Sequence, residues 1–311
     1  MTMACIFPGQ GSQSLKMMSA FGSHQAAVRE TFEEAGDVLG LDLWRLAQEG
    51  PESELNRTDR TQPLMLTAGV AVWRLWRAAG GPVPQSMAGH SLGEYTALVC
   101  AGALDFAATV ALVADRGRFM QEAVAEGSGA MAAILGLDDD TVAAVCEGVA
   151  GDQVVAPVNY NAPGQVVIAG HAAAVHRAVA SAKERGAKRA LTLPVSVPSH
   201  CSLMKPAAER LHLRLSEVTI DPPAIPVIHN VDVATHDVAD DIRQALAAQL
   251  HHPVRWVDTI RRLYREGVGS AVECGPGKVL AGLNKRIERD MPCLPIHDAE
   301  SLDKALSAVE P

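Results

Sequence analysis

The chain has no excess of basic residues: 27 Lys and Arg stand against 36 Asp and Glu in 311 residues, a formal charge of -9. That balance disfavours non-specific attraction to nucleic acid or to an anionic membrane surface, so an acidic partner would have to meet a local basic patch. The six cysteines, at 5, 100, 146, 201, 274 and 293, include no C-x-x-C pair and no metal-ligand spacing. Reduced thiols, no structural disulfide and no bound metal are therefore expected. Long apolar runs are missing too. The longest, Ala97 to Ala114, is broken by Gly102 and Asp105 and carries Thr109, which predicts a pair of buried helices and no membrane span. Met1 to Ala4 lead straight into Cys5-Ile6-Phe7-Pro8 without a basic stretch or an extended apolar segment, so no leader is expected and the protein is placed in the cytoplasm. The Gly-rich segment Phe7 to Gln13 lacks both G-x-x-x-x-G-K-[ST] and G-x-G-x-x-G, which disfavours nucleotide binding. No internal repeat or low-complexity tract occurs.

What is present is a core. With 48% hydrophobic residues the chain can bury one large domain carrying an elaboration, or two unequal domains. Residues 1–126 alternate short apolar strands with amphipathic helices: a strand at Ala4 to Phe7, a helix from Gln25 to Leu39, and a longer one opened by Gln62-Pro63-Leu64 and running through Trp76. Residues 127–196 follow a different order. Strands are predicted at 130–135, 154–160, 165–169 and 190–195, with helices from the Asp138 cap to 149 and over 172–185. This βαββαβ order predicts a ferredoxin-like unit inserted into the larger α/β domain, which resumes over 197–311 with strands at 227–229 and 271–273 and helices at 242–250 and 257–265.

The most specific local feature is Gly89-His90-Ser91-Leu92-Gly93. Glycines two residues either side of a serine let a strand turn sharply into a helix and present the hydroxyl, the arrangement of a nucleophile elbow. Ser91 would then stand at a helix N-terminus, where unpartnered N–H groups favour a developing negative charge. The Gly-rich loop after the first strand could supply a second N–H, from Gln10, to an oxyanion hole begun by Leu92. A serine of this kind needs a base. Among eleven histidines, His200 follows Pro198 at the junction of the two predicted units, whereas His251 and His252 precede Pro253 and suit a helix end. His90 adjoins Ser91 and suits lining the pocket. Arg116 lies on a helix rich in apolar residues, where its guanidinium either pairs with Asp115 or Glu122 at the surface or clamps a carboxylate in the cleft.

Seven segments carry a family resemblance: FPGQGSQ at 7–13, TQP at 61–63, GHSLGEY at 89–95, RGRFMQ at 116–121, NYNAPGQVVIAG at 159–170, VSVPSHCSLM at 195–204 and ECGPGKVLAGL at 273–283. Together they resemble the malonyl-CoA:acyl carrier protein transacylases of bacterial fatty acid synthesis over almost the whole chain. The resemblance implies a hydrolase-like α/β domain with a parallel sheet and a ferredoxin-like insertion, and an acyltransferase that works through a malonyl-serine. It makes Ser91 the nucleophile, His200 the base, and the main-chain carbonyl of Gln249 the group that orients His200 in place of an aspartate. It makes Arg116 the partner of the malonyl carboxylate, with Met120 and His90 nearby, and the N–H groups of Gln10 and Leu92 the oxyanion hole. The substrates it implies are malonyl-CoA and the phosphopantetheine thiol of acyl carrier protein, with no bound cofactor, no metal, and a monomeric enzyme. Docking of an acidic carrier protein falls to Lys188, Arg189, Lys285 and Arg286. One position departs from the pattern: many malonyl-specific relatives have Phe before the catalytic His, where this chain has Ser199. A thioesterase would use the same elbow and histidine, and a malonate decarboxylase component similar chemistry on another carrier.

Overall fold

The computed structural model describes residues 2–195 and 197–309. Five strands, β1 (Met3–Phe7), β2 (Ser86–Gly89), β7 (Val227–Ile228), β8 (Ser270–Cys274) and β9 (Cys293–Ile296), form a parallel sheet in the order β7-β2-β1-β8-β9. Four more, β3 (Gly129–Leu135), β4 (Val155–Ala162), β5 (Gln165–His171) and β6 (Arg189–Thr192), form a separate antiparallel sheet in the order β4-β5-β3-β6. The protein is thus an α/β fold with two sheets.

Strand periodicity explains how the first sheet is buried on both faces. Met3, Cys5 and Phe7 of β1 join Met87, Val227 and Val272 in one apolar cluster. Ala4 and Ile6 join Ala88, Ile228 and Ala271 in another. Successive side chains point to opposite faces, so a fully buried parallel strand reads as an unbroken apolar run. The second sheet is also two-sided. Ala130, Ala132, Ile134, Val166 and Ile168 pack on the helices Asp139–Ala150 and Ala172–Glu184, while Met131, Val158, Val167 and Ala169 cluster with Cys201 beside the His200 segment.

Several elements depart from the sequence expectations. The long helix runs Thr58–Ala78, so Pro63 lies inside it and does not open it. The turn before the proline closes through Thr61, whose N–H reaches the Arg57 carbonyl and whose hydroxyl reaches that of Leu55, at the expense of the one bond that Pro63 cannot donate. Strand β6 ends at Thr192 and not at 195, because Pro194 has no N–H to continue the ladder. Strand β9, the sheet edge, was not anticipated: Pro295 lies within it, and proline is tolerated in a sheet chiefly at such an edge. The run 97–114 forms parts of two helices, Gly93–Cys100 and Phe106–Glu122, and among the described residues no helix is long and apolar enough to cross a membrane.

Candidate active site

Because β1, β2 and β7 are parallel neighbours, with Phe7 beside Gly89 and Ala88 beside Ile228, the segments that follow them leave from one edge of the sheet. Ligands of open α/β sheets bind at that edge. Gln10 follows β1, Ser91 follows β2 and Asn230 follows β7. Ser91 itself takes a left-handed backbone, φ 51°, and the flanking glycines serve a different purpose from the one their flexibility suggests. A Cβ on Gly89 would stand 1.8 Å from the Gly93 carbonyl carbon, and one on Gly93 would stand 2.1 Å from the Phe7 carbonyl oxygen. They are needed for space, and the strain, about 1–3 kcal/mol, falls on the serine. Asn230 offsets it. Its Oδ1 accepts the Ser91 N–H at 2.7 Å and its Nδ2 donates to the Gly89 carbonyl at 2.7 Å, bonds worth about 0.5–1.5 kcal/mol each.

His200 lies across the cleft, 109 residues from Ser91, with Nε2 2.8 Å from the serine Oγ. It too has a left-handed backbone, φ 65°, pinned by its N–H to the Leu250 carbonyl at 2.9 Å. Nδ1 lies 2.7 Å from the carbonyl oxygen of Gln249, the last residue of the helix Ala239–Gln249. A carbonyl only accepts, so Nδ1 carries the proton and the Nε2 lone pair faces the serine hydroxyl. The carbonyl is free for this because a helix leaves its last carbonyls unpaired. Burial, and then the positive charge of Arg116, hold the imidazole down to about 3, so it rests neutral.

Arg116, in the helix Phe106–Glu122, is buried, and neither Asp115 nor Glu122 pairs with it; those carboxylates meet Arg118, Arg210 and Arg214 instead. Its Nη1 donates to Gln62 Oε1 at 2.7 Å and its Nη2 to Gln249 Oε1 at 2.9 Å, with Ser91 Oγ 3.4 Å from Nη2. Its Nε has no partner among the described residues, and burial draws the guanidinium down from its ordinary value. A buried cation beside an open cleft, with donor capacity to spare, has the chemistry to receive an anion. Met120, one turn further along the same helix, accepts a weak bond from Gln62 Nε2 at 3.4 Å and reaches the cavity wall.

The cavity of about 440 Å³ is lined by Gln10, His90, Ser91, Leu92, Arg116, Met120 and His200, with Met131 and Asn159 of the second sheet closing its far side. Gln10 is brought in by close packing of its loop on the elbow: a Cβ on Gly9 would stand 2.4 Å from the His90 carbonyl oxygen. Asn230 occupies the Ser91 N–H, and the amides of Gly93, Glu94 and Tyr95 close onto His90, Ser91 and Leu92. This leaves the Leu92 N–H as the amide of the turn without an acceptor among the described residues. His90 Nε2 lies 2.8 Å from Asn161 Oδ1 of β4 and its ring packs on Trp256, which ties the two sheets together beside the serine.

The other candidates lie elsewhere. His252 Nδ1 meets the Ala248 carbonyl at 2.9 Å, the helix-end contact expected of it, and neither His251 nor His252 lines the serine cavity. Asp105, an acid that hydrolase chain order would suggest for a triad, caps its helix through the Ala108 N–H at 2.9 Å. Lys188, Arg189, Lys285 and Arg286 are exposed and line no part of the cavity. Three of them gather at one corner instead: Leu135 pairs with Arg189 and with Gln165, Arg286 bonds to Gln165 and to the Pro163 carbonyl, and Lys188 packs over Gly136, while Lys285 precedes Arg286 in the last turn of the helix Val279–Ile287. Ser196, in the segment 195–204 and at the expected end of the inserted unit, lies outside the described residues. Sequence reasoning missed Gln62, Glu94 and Asn230 as parts of the site. Glu94 did leave a signal, as the one charged residue in an otherwise apolar helix.

A serine and a histidine in contact at the C-terminal edge of a parallel sheet, beside a buried cation, are equipped for acyl transfer through a serine ester, the chemistry of acyl transferases. The chain belongs to that family, whose acyl transferase domain matches residues 4–296. Within it, the chain is similar to malonyl CoA-acyl carrier protein transacylases. It is 54% identical over 303 residues to that of Escherichia coli (strain K12), covering 97% of this chain and 98% of the relative. The solved structure of the malonyl CoA-acyl carrier protein transacylase from Coxiella burnetii superposes with a TM-score of 0.97 at 53% identity, covering 98% of this chain and 97% of that one. A malonyl-transacylase solved in complex with its type II PKS acyl-carrier protein gives 0.98 at 52% identity, covering 99% and 100%.

Proposed function

We propose that this chain carries a malonyl group from malonyl-CoA to the phosphopantetheine thiol of acyl carrier protein through an ester on Ser91, supplying malonyl carrier protein for fatty acid elongation. The observation that carries the reading is the 2.8 Å contact between Ser91 Oγ and His200 Nε2 in a cavity that also holds buried Arg116. His200 takes the hydroxyl proton as Oγ attacks the thioester carbonyl, and the N–H groups of Gln10 and Leu92 receive the oxyanion. The C–S bond then breaks and CoA leaves with the proton from Nε2. The second half runs in reverse: His200 takes the proton of the phosphopantetheine thiol, sulfur attacks the ester, and Oγ leaves as a hydroxyl. The imidazolium of each step faces the Gln249 carbonyl at the negative end of a helix, which does the work of a triad aspartate. Arg116 holds the malonyl carboxylate, orienting the ester. One substrate brings a thioester and the other a thiol, so we read the transfer as one that these side chains carry out without a cofactor, in a monomeric, cytoplasmic enzyme.

We read residues 1–126 and 197–311 as a hydrolase-like domain and 127–196 as a ferredoxin-like insertion. The element order strand, helix, two strands, helix, strand over 129–192 and the sheet order β4-β5-β3-β6 support this. The insertion covers the cleft through Met131 and Asn159.

The basic corner formed by Lys188, Arg189, Lys285 and Arg286 suits an acidic carrier protein, and β4 links it to the cavity through Asn159 and Asn161. Reversing Lys188 and Lys285 to Glu should raise the KM for carrier protein about tenfold and leave that for malonyl-CoA unchanged. Steady-state kinetics with each substrate varied in turn would read this, and equal effects on both would count against docking there.

The reading as a whole is tested by intact mass. Brief incubation with malonyl-CoA should add one malonyl group, and holo acyl carrier protein should remove it within a turnover while water leaves it in place. Loss of the adduct at the same rate without carrier protein would identify a hydrolase.

A further inference from the structure

Glu94 is fully buried, sits in the first turn of the helix Gly93–Cys100, and faces neither the cavity nor solvent. Its carboxylate is the meeting point of three groups far from it in sequence, the adjacent His229 and Asn230 after β7 and Gln249 at the end of the helix Ala239–Gln249. Oε2 accepts the Asn230 backbone N–H at 2.9 Å and Gln249 Nε2 at 2.7 Å, and Oε1 lies 2.8 Å from His229 Nδ1. Two of these partners hold the reacting pair. Asn230 grips the strained elbow, accepting the Ser91 N–H and donating to the Gly89 carbonyl. Gln249 presents its carbonyl to His200 Nδ1, while its side-chain amide joins the Ser91 carbonyl at 3.0 Å to Arg116 Nη2 at 2.9 Å.

We propose that Glu94 is the positioning residue of the site: through Asn230 it fixes the backbone of Ser91, and through Gln249 it fixes the ring of His200 and the guanidinium of Arg116. The proposal rests on the assignment of those three residues made above. The physical reason for a carboxylate is acceptor capacity. Two oxygens take three donors that would otherwise be buried unpaired, and an ionisable acceptor makes shorter and stronger bonds than an amide. Glu94 also lies one amide away from Arg116, near enough to balance a buried cation without occupying the N–H groups that a substrate carboxylate needs.

The test is Glu94→Gln, which keeps the shape and halves the acceptor oxygens. Single-turnover acylation by malonyl-CoA, followed by intact mass, separates two quantities: the amplitude reports the fraction of correctly folded chains, and the rate constant reports the geometry of the pair. We expect full amplitude, a rate constant lower by about 10- to 100-fold, and a half-saturating malonyl-CoA concentration within about threefold of wild type. Should Glu94→Gln fail to fold, Gln249→Ala keeps the carbonyl on His200 but cuts the side-chain bridge, and should slow acylation by about tenfold on the same split. Where both fold, the double variant should be no slower than the slower single one, since both cut one chain of contacts. An unchanged rate constant, or a loss confined to amplitude, overturns the proposal. A wild-type chain that takes no malonyl group overturns the assignment of Ser91 as well, whereas a normal wild-type adduct with an unaltered Glu94→Gln rate overturns this inference alone.

Discussion

Ser91→Ala should abolish the malonyl adduct completely, and His200→Ala should slow its formation by about 10²- to 10⁴-fold, the range a positioned general base contributes. The two differ in kind. Without Oγ there is no atom to acylate, whereas without the imidazole the hydroxyl remains 3.4 Å from the Arg116 guanidinium and can still react slowly. Intact mass after incubation with malonyl-CoA reads both: no adduct at any time for the first, a slow but complete adduct for the second. An adduct on the Ser91→Ala chain would place the nucleophile elsewhere.

The same histidine sets two pH dependences of opposite practical meaning. Because burial and Arg116 hold His200 down to about 3, the base stays neutral as pH falls through the ordinary histidine range around 6.5. Acylation measured over a single turnover should therefore keep its rate from neutral pH to about 4, with no loss near 6.5. Stability behaves otherwise. Between about 3 and 6.5 the unfolded chain binds a proton at His200 that the folded chain does not, so unfolding becomes easier as pH falls through that window. His200→Ala removes this contribution, and its denaturation midpoint should fall less steeply with acid than that of wild type.

How much of this was legible in the sequence depended on distance along the chain. The elbow was local, and its two glycines, its serine and the start of its helix lay within five residues. Even there the sequence suggested flexible glycines, whereas the structure requires glycines for lack of room and puts the unusual backbone on Ser91. His200 was one of eleven, and composition could not separate it from His251 or His252, because what distinguishes it is a ring aimed at a serine 109 residues away. Gln249 was illegible in principle from composition: the group that meets His200 Nδ1 is a main-chain carbonyl, which every residue has, and it became visible only through family resemblance. Glu94 and Asn230 fall between these cases. Glu94 lies inside the segment 89–95 and Asn230 directly after the predicted strand 227–229, but the meaning of each lies in the other, 136 residues distant and brought near by parallel strands β2 and β7. The fold followed the same rule. Helices with a strong apolar stripe, such as Gln25–Leu39, were placed correctly, while the edge strand β9, carrying Pro295, had no pattern to betray it.

Arg116→Ala should turn a malonyl-selective site into an indifferent one. A buried guanidinium gains nothing from an acetyl group and a charge-assisted, two-point contact from a malonyl carboxylate, so its removal costs the two donors unequally. Truncating one partner of a buried charge pair costs about 2–5 kcal/mol, which predicts a fall in kcat/KM for malonyl-CoA of about 30- to 4000-fold. For acetyl-CoA the expectation is little change or a modest gain, because the variant removes a buried cation that an uncharged acyl group must sit beside unpaired. Arg116→Lys separates charge from geometry. It keeps the cation but cannot hold Gln62 and Gln249 through two nitrogens at once, so it should retain part of the malonyl preference and lose rate as the Gln249 bridge loosens. Competition between malonyl-CoA and acetyl-CoA for Ser91, resolved by the mass of the adduct, measures the preference directly in all three chains. A preference unchanged in Arg116→Ala would mean that the carboxylate is held by some other group, and among the cavity walls His90 and Gln10 would be the next side chains to replace.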